Sequence, residues 1–218
     1  MTLVKAYKGI GMNGPIARWY ARTGRARYEQ FRAWARRVAE TAPGPDVLEV
    51  APGPGYCAIE LAKLGRHRVT GLDISATFVE ICRQNAADAG VSVDFRQGNA
   101  SAMPFPDNTF HFIFCSAAFK NFADPLGALR EMYRVLKPGG QALIIDLRRD
   151  APPAEIAKEV GRMELNAANR AIIKLTFRFM LLKRAYTKAE LEQLIAQTRF
   201  ATVEIACGGI GFEISLTK

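Results

Sequence analysis

Residues 47–55, with the sequence VLEVAPGPG, contain the residue types of a ligand-binding turn. Residues 46–51 have strand length and are mostly apolar, residues 52–55 can only be a turn, and residues 57–62 have the composition of a helix. A strand that feeds a glycine turn opening a helix presents free backbone N–H groups and the positive helix end to a ligand.

Two carboxylates accompany this turn. Glu49 lies near the end of the first strand, where a buried charge is costly unless it is paired, so we expect it to face a cation or several donors. Asp73 follows Gly55 by 18 residues at the end of the second predicted strand, where it can accept hydrogen bonds from two ribose hydroxyls. Because Gly53 and Gly55 lack Cβ, a ligand can lie against the backbone. A nucleotide-like ligand with a positive centre suits these residues.

The elements that position these residues alternate between strand and helix. Predicted strands cover residues 46–51, 68–72, 92–96, 110–115 and 141–147, and predicted helices cover 56–64, 76–89 and 125–136, with a short turn or helix near 100–104. Residues 137–140, Lys-Pro-Gly-Gly, are predicted to end a helix and turn into the next strand. This alternation predicts an α/β fold with a parallel, doubly wound sheet whose ligands sit at the C-terminal strand ends.

Segments of different character flank this alternation. An arginine-rich helix is predicted over residues 16–39, with most of its large apolar residues packed inward: Trp19, Phe31, Trp34 and Val38. The aromatic residues of this N-terminal arm either anchor the packing of its helix or belong to a lid that closes over the ligand. Residues 150–186 interrupt the rhythm and are predicted to form a helical insertion. At the end of the chain we predict a helix and an antiparallel hairpin, with strands 201–206 and 212–217.

The organisation predicted is a single domain over 1–218. Its parts are an arm (1–40), a cofactor-binding core (41–149), a helical cap (150–186) and a final helix with a hairpin (187–218). The net charge of +9 is concentrated in the arm and in residues 151–190. These basic segments are either solvated helix faces or the border of a site for an anionic substrate or an anionic surface. In the insertion, one basic helix face indicates a packed lid or a membrane-surface helix: Arg170, Lys174 and Arg178.

Composition limits the chemistry and the compartment. The four cysteines have no C-x-x-C spacing and are expected to be reduced core thiols in a cytoplasmic protein: Cys57, Cys82, Cys115 and Cys207. With only two histidines, a metal site or a histidine triad is not expected. No apolar run reaches the roughly 18 residues of a membrane-spanning helix, and the first residues do not form a secretory signal.

The order of several short motifs is more specific than any one of them. After the glycine turn come Gly71-Leu-Asp73-Ile-Ser, Gln97-Gly-Asn-Ala100, Asp107-x-x-Phe110-x-x-Ile113 and Leu136-Lys-Pro-Gly-Gly140. Over residues 46–147, this series resembles the class I S-adenosylmethionine-dependent methyltransferases, in the branch that acts on small molecules and lipid quinones. The resemblance implies a Rossmann-like sheet of seven strands in the order 3-2-1-4-5-7-6, the last strand antiparallel.

The resemblance also implies a cofactor, S-adenosyl-L-methionine, with S-adenosyl-L-homocysteine as product, and a set of cofactor-binding residues. Glu49 and the turn would contact the methionine part, Asp73 the ribose, and Ile74 and Phe78 the adenine. The complete predicted set is Glu49, Ala51, Pro52, Gly53, Gly55, Asp73, Ile74, Ser75, Phe78, Gly98, Asn99, Ala100, Ser116, Ala117 and Phe119.

This chain departs from the family pattern at several positions. Ala51 stands where glycine is usual, Asn99 where aspartate is commoner, and His111 where aspartate is usual. Residues 119–122, Phe-Lys-Asn-Phe, occupy a segment often rich in histidine in this branch. Candidate bases or orienting groups are therefore limited to Tyr7, Tyr20, Lys120 and Tyr186.

The function expected is methyl transfer by in-line displacement to a small or lipid-like, anionic acceptor, in a protein that is cytoplasmic or peripheral to a membrane. Three alternatives stay open. A nucleic-acid methyltransferase suits the basic segments, but Cys115-Ser-Ala-Ala118 lacks the catalytic Asn/Asp-Pro-Pro-Tyr/Phe motif. A nicotinamide oxidoreductase shares the turn and the ribose carboxylate. A non-catalytic cofactor-binding protein needs no base.

Overall fold

The computed structural model describes residues 7–8, 11–24, 27–161 and 182–218. The predicted basic face of Arg170, Lys174 and Arg178 lies outside the described residues, as does most of the second half of the predicted insertion. Among the described residues, no helix has the length and apolar character needed to cross a membrane.

The helices and strands follow the predicted alternation closely. The helices are α1 (Gly14–Gly24), α2 (Tyr28–Thr41), α3 (Tyr56–Lys63), α4 (Ala76–Asp88), α5 (Pro125–Val135), α6 (Pro153–Gly161) and α7 (Lys188–Ile195). The strands are β1 (Asp46–Val50), β2 (Arg68–Asp73), β3 (Asp94–Gln97), β4 (Phe110–Ser116), β5 (Leu136–Leu147), β6 (Thr202–Gly208) and β7 (Gly211–Thr217). Short 3-10 turns cover Phe119–Asn121 and Leu182–Arg184.

The seven strands form one sheet in the order β3-β2-β1-β4-β5-β7-β6, which confirms the predicted fold. The first five strands are parallel, and β7 runs antiparallel to both β5 and β6. The strand order reverses between β1 and β4, so a crevice is expected where the carboxyl ends of these two strands separate. Ala51 and Ala117 follow directly at this point.

Helices cover both faces of the sheet, and the alternation of side chains along β1 shows how. Leu48 and Val50 belong to a buried cluster with α5 and α7, whereas Val47 belongs to a second cluster with α2, α3 and α4. Glu49 shares the face of Val47 and therefore points toward α3. The predicted buried strand β4 contributes side chains to both clusters, which explains its continuous apolar sequence.

The N-terminal arm differs from the prediction of one helix over 16–39, which was wrong. α1 ends at Gly24, a poor helix former that is buried where an added Cβ would lie 3.5 Å from the Tyr56 ring. Trp19 does not pack inward and is 60% exposed. The inward face of α1 consists of small residues (Ala17, Ala21 and Gly24), and Trp19 lies on the opposite side of the helix. In α2, Phe31, Trp34 and Val38 pack inward as predicted.

Two further predictions needed correction. Residues 137–140 do not form a turn before the strand but lie within β5, between the pairs Leu136–Phe110 and Gln141–Phe112. There the backbone folds tightly enough that a Cβ on Gly140 would lie 2.8 Å from the Lys137 carbonyl oxygen, so the segment is a bulge. Cys207 is exposed, unlike the other three cysteines, because it lies on the edge strand β6.

Candidate functional site

The glycine turn between β1 and α3 has a left-handed backbone at three positions. Positive φ angles occur at Ala51 (57°), Gly53 (56°) and Gly55 (79°). At Gly55 an added Cβ would lie 2.9 Å from Cys82 Sγ, so glycine is needed there for packing against α4. At Gly53 the nearest atom to such a Cβ is in the Tyr20 ring at 3.8 Å, and this position borders the arm. Pro52 closes the turn by accepting a hydrogen bond from Gly55 N–H at 3.0 Å.

Alanine adopts the left-handed region at two places, and both lie at the switch point of the sheet. Ala51 (φ 57°) follows β1, and Ala117 (φ 56°) follows β4. Backbone hydrogen bonds to neighbouring strands hold them, from Ala51 N–H to Leu72 O (2.8 Å) and from Ala117 N–H to Ile145 O (2.7 Å). A left-handed alanine costs about 1–2 kcal/mol, and such strain persists mainly at functional sites. The strain at Ala51 also explains why glycine is usual at this position.

Asp73 ties the ends of β1 and β2 together. Its Oδ2 accepts a hydrogen bond from Gly53 N–H (3.1 Å) and its Oδ1 accepts one from Ser75 N–H (2.8 Å). Burial raises the pKa of Asp73 to about 6, although the backbone N–H groups of Ser75, Gly53 and Ile74 act to lower it. The Asp73 carboxylate thus accepts hydrogen bonds from the glycine turn and from the start of α4.

Glu49 is more deeply isolated. It is buried beneath the first turn of α3, where the Ala58 backbone N–H interacts with its carboxylate and lowers its pKa. Burial outweighs this interaction, and the negative charge of Asp73 adds to the effect, so the pKa of Glu49 is raised to about 8. Glu49 was predicted to face a cation or several donors, and the N-terminus of α3 supplies one donor, the Ala58 N–H.

Neither of these buried carboxylates has a cationic partner in the part of the chain that the structure describes. The contrast with Asp46, at the opposite end of β1, is direct. Asp46 forms ion pairs with Arg68 (2.6 Å) and Lys137 (2.9 Å). Burial acts to raise the pKa of Asp46, but hydrogen bonds from these two cations lower it below its ordinary value. Glu49 and Asp73 lack that compensation, and a positively charged ligand would supply it.

The residues after β2 begin α4 beside this acidic site. Ser75 caps α4 by accepting a hydrogen bond from Phe78 N–H (3.2 Å), and its hydroxyl donates to Asn13 Oδ1 (2.8 Å). Phe78 is buried and meets the Tyr20 ring edge-on at 6.0 Å. Ile74, next to the buried Asp73, is 40% exposed.

The segment after β3 forms a local turn. Gly98 N–H donates to the Asp73 backbone carbonyl (2.9 Å), which places this segment next to the second carboxylate. The Asn99 side-chain oxygen accepts hydrogen bonds from Ser101 N–H and Ser101 Oγ, each at 3.0 Å. Asn99 is therefore a turn residue in this structure. Ala100 is half-buried and packs against the core.

The residues after β4 divide between the crevice and the core. Ser116 is the last residue of β4, half-buried, and pairs with Ile145. Phe119 is completely buried and contacts Phe122 and Tyr186 with ring centroids 5.5 and 5.8 Å away. Phe119 is thus a core residue in this structure.

Lys120 is held in a buried ion pair. Its Nζ donates to Asp146 Oδ1 (2.7 Å) and to Ala117 O (2.6 Å), and its backbone N–H donates to Asp146 Oδ2 (2.8 Å). A lysine bound in this way as an ammonium is unsuited to accept a proton, and it instead fixes the strained Ala117 peptide. Sequence reasoning missed Asp146, although the signal was the same as for Glu49 and Asp73: a lone acid at the end of an apolar strand.

The tyrosine candidates lie on the arm and next to the end of β5. Burial raises the pKa of Tyr7; positive Arg184 acts to lower it, while Tyr20, Asp73 and Asp146 act to raise it further. Tyr7 thus lies within the electrostatic influence of residues at the ends of β2 and β5. Because its pKa is raised, Tyr7 is suited to donate a hydrogen bond rather than to act as a base. Tyr186 is buried, with its hydroxyl 2.7 Å from Lys8 Nζ.

The first described residues and α1 cover this end of the sheet. Tyr7 forms an antiparallel bridge with Phe122 beyond β4. Gly14 N–H donates to Thr77 Oγ1 at the start of α4 (3.0 Å), and Tyr56 Oη donates to the Ala21 carbonyl (2.9 Å). α1 thus packs beside the glycine turn, a placement that is compatible with both interpretations of the arm.

Comparisons with known proteins agree with this geometry. Residues 48–144 match the protein family described as "Methyltransferase domain". A demethylmenaquinone methyltransferase of Deinococcus radiodurans is 36% identical over 127 residues, which are 56% of this chain and 52% of that protein. The ubiquinone/menaquinone biosynthesis C-methyltransferase UbiE of Shewanella sediminis is 35% identical over 136 residues, 59% of this chain and 53% of that protein.

A solved structure from Methanococcus maripaludis, named provisionally as an S-adenosyl-L-methionine-dependent methyltransferase, shares the fold. Its TM-score is 0.76 at 20% identity, and the match covers 97% of this chain and 95% of that one. The matched region spans about half the length of the curated relatives.

The buried state of Glu49 predicts how its removal changes stability with pH. A carboxyl whose pKa is raised on folding contributes stability that is fully present below about pH 4.5 and is lost as the pH rises through about 8. Above about pH 4.5, burial of the Glu49 carboxyl therefore lowers the free energy of unfolding, and Glu49→Gln removes this cost. We therefore expect the variant to gain about 1–3 kcal/mol in unfolding free energy relative to the natural protein between about pH 5 and about pH 9, measured by urea denaturation without ligand.

Glu60→Gln is the matched control. Burial acts to raise the pKa of Glu60, but hydrogen bonds from Lys63, Tyr28 and Arg32 lower it below its ordinary value. Its stabilising contribution is thus present above about pH 4.5 and lost in acid, so its replacement should destabilise the protein near neutral pH. Identical pH dependence for the two variants would contradict the isolation of Glu49.

Proposed function

We propose that this chain is an S-adenosylmethionine-dependent methyltransferase that transfers the methyl group to a small, lipid-like acceptor, a proposal supported by the match of residues 48–144 to the family described as "Methyltransferase domain". The observation that carries the proposal is the pair of buried carboxylates, Glu49 and Asp73, at the ends of β1 and β2. The names of the curated relatives support a quinone-type acceptor.

The residues at this site fit such a cofactor. When bound, S-adenosylmethionine supplies a methyl group on a positively charged sulfur, and its methionine part carries an ammonium group. Glu49 and residues 51–55 would hold the methionine end, and Asp73 would hold the ribose hydroxyls. Ile74 and Phe78 would flank the adenine, and the turn at Asn99 and Ala100 would hold its edge. Two uncompensated acids suit a cation, because a cation offsets the cost of their burial.

The acceptor side lacks a histidine. His111 lies at the start of β4, where its Nδ1 accepts a hydrogen bond from Asp46 N–H (3.2 Å), and His67 precedes β2. Both lie at the amino ends of their strands, on the opposite side of the sheet from the carboxyl ends where Glu49 and Asp73 lie. We therefore propose an acceptor with an acidic oxygen that binds already ionised, so that the protein orients it for in-line displacement and excludes water.

The alternatives have less support. A nicotinamide dinucleotide would share the glycine turn and the ribose carboxylate Asp73, but it would leave the buried Glu49 without a role. A nucleic-acid substrate suits the basic arm, but it has no support from the quinone-related names of the relatives. A non-catalytic cofactor-binding protein would keep the acidic site without an acceptor site, and activity on acceptors separates it from an enzyme.

Calorimetric titration tests the cofactor. We expect the full chain to bind S-adenosylhomocysteine and to give no heat with NADH. Asp73→Asn removes the charge while keeping the size of the side chain, and should weaken S-adenosylhomocysteine about tenfold or more, because a hydrogen bond to a charged group contributes about 1.5–3 kcal/mol.

The control for this substitution is Asp94→Asn, on the adjacent strand β3, where the carboxylate is half-exposed and paired with Arg96. It should leave cofactor affinity unchanged. Tight NADH binding together with no response to S-adenosylhomocysteine would overturn the proposed function. An unchanged affinity in Asp73→Asn would remove Asp73 from the ribose site.

We further propose that α1 docks on an anionic lipid surface, from which a lipid-like acceptor enters the crevice. Trp19 and Ile16 lie on the outer side of α1 and are 60% and 43% exposed, and Ile74 near its start is 40% exposed. Arg18 and Arg22 are exposed on the same helix, which contains no acidic residue. An exposed tryptophan flanked by arginines is typical of helices that lie in a membrane interface.

Vesicle sedimentation tests this surface. Trp19→Ser should reduce binding to vesicles that contain phosphatidylglycerol about tenfold, because it removes the largest apolar side chain from the contact. Leu64→Ser, at an apolar residue after α3 that is 43% exposed, is the control and should bind as the natural protein does. Equal losses in both variants, binding that is no weaker to neutral vesicles, or displacement by nucleic acid alone would contradict the proposal.

A further inference from the structure

Lys8 and Tyr186 form a polar pair that the cofactor site does not use. Lys8 Nζ donates a hydrogen bond to Tyr186 Oη at 2.7 Å and lies 4.9 Å from the centre of the tyrosine ring. Lys8 has no carboxylate within ion-pair distance among the residues that the structure describes. It is thus an ammonium group whose partner is a neutral hydroxyl.

The backbone fixes both residues at the ends of neighbouring strands. Lys8 N–H donates to Asn121 O (2.7 Å), in the segment that follows β4. Arg149 N–H donates to Tyr186 O (2.9 Å), just beyond the end of β5. Residues that are 178 positions apart in the chain therefore meet at the β4–β5 side of the crevice. The two buried carboxylates of the cofactor site, Glu49 and Asp73, occupy the other side, at β1 and β2.

The charges on the two sides of the crevice are opposite. On the β4–β5 side, Lys120 is neutralised by Asp146, but Lys8 is not neutralised by any described residue. Arg184, which is exposed, acts electrostatically on Tyr7 and has no ion pair within the described ranges. On the β1–β2 side, Glu49 and Asp73 are acids without cations. Such a crevice suits two reactants of opposite charge.

The donor geometry of the pair defines what it can bind. An ammonium group has three donors, and Tyr186 occupies one of those of Lys8. Because the Tyr186 oxygen accepts from Lys8, the Tyr186 hydroxyl proton is free to donate to a ligand. Both groups can thus donate to one oxygen atom. Aromatic residues lie close to the pair, because the Tyr186 and Phe122 rings both contact Phe119, and Tyr7, next to Lys8 in the chain, forms a backbone bridge with Phe122. This surrounding favours a planar, partly apolar ligand.

We propose that Lys8 and Tyr186 bind the ionised oxygen of an aromatic hydroxyl group on the acceptor, with Arg184 adding positive charge at the same opening. The inference rests on the proposed function and assigns residues to its acceptor side. Binding is to the oxyanion, and the proton leaves to water before the acceptor binds. Because the bound oxygen is already ionised, neither Lys8 nor Tyr186 acts as a base.

A chromogenic phenol tests the pair without any turnover. p-Nitrophenol absorbs visible light only as the phenolate, so a titration with the full chain reports both its affinity and its ionisation when bound. We expect the natural protein to lower the pKa of the bound phenol. Lys8→Met should weaken phenolate binding about tenfold or more and abolish the change in pKa, as expected for the loss of a charge-assisted hydrogen bond. Lys8→Arg should retain most of both effects.

Tyr186→Phe keeps the ring against Phe119 and removes one donor, so we expect a smaller loss of phenolate affinity, about threefold to tenfold. The control is Lys183→Met, which removes an exposed positive charge from the 3-10 turn next to Arg184 and should change neither quantity. Equal loss in Lys183→Met, or no loss in Lys8→Met, would overturn the assignment.

Calorimetry with S-adenosylhomocysteine on the same variants separates the possible failures. If Lys8→Met binds this ligand normally and loses the phenolate, the assignment holds. If Lys8→Met loses both ligands and its thermal stability falls, the pair only fastens the arm, and the assignment is overturned. If the natural protein does not bind S-adenosylhomocysteine, the proposed function fails first, independently of the acceptor pair.

Discussion

The site depends on two carboxylates that the fold buries at the ends of β1 and β2 without a positive partner among the described residues. Burial raises the pKa of Glu49 to about 8 and that of Asp73 to about 6. A protein core excludes such groups unless something offsets their desolvation. Backbone N–H groups offset part of it, and a cationic ligand would offset the rest. The same crevice presents Lys8 and Arg184 on its other side, so its two sides favour reactants of opposite charge.

Backbone strain at the switch point is the second constraint on this site. Ala51 and Ala117 adopt left-handed conformations at the ends of the two strands between which the crevice opens. The first is held by Leu72 and by the turn that Asp73 binds, and the second by Ile145 and by Lys120. The buried Lys120–Asp146 pair is thus a positioning device for the end of β4. Its energetic value lies in fixing this peptide, since a buried ion pair alone contributes little to stability.

Much of the fold was predictable because its signals are local. The continuous apolar runs of β4 and β5 and the capped start of α5 at Asp124 follow from residue type and order, as do the two acids near the turn. The contacts of the arm were not predictable in this way. Trp19 fits an inward-facing pattern, yet small residues on the other side of α1 pack inward. Lys8 and Tyr186 meet only through tertiary structure, and no pattern in the sequence connects residues 178 positions apart.

The most direct measurement of the central claim is the number of protons released when S-adenosylmethionine binds. It is obtained near pH 7 from calorimetry in buffers with different heats of ionisation, with 5′-methylthioadenosine as the comparison ligand, which lacks both the methionine ammonium group and the sulfonium charge. Because Glu49 is protonated at that pH without ligand, we predict that S-adenosylmethionine releases more protons than 5′-methylthioadenosine, and that Glu49→Gln removes the difference. Equal proton release for the two ligands in the natural protein would contradict the claim that these buried acids are arranged for a cation.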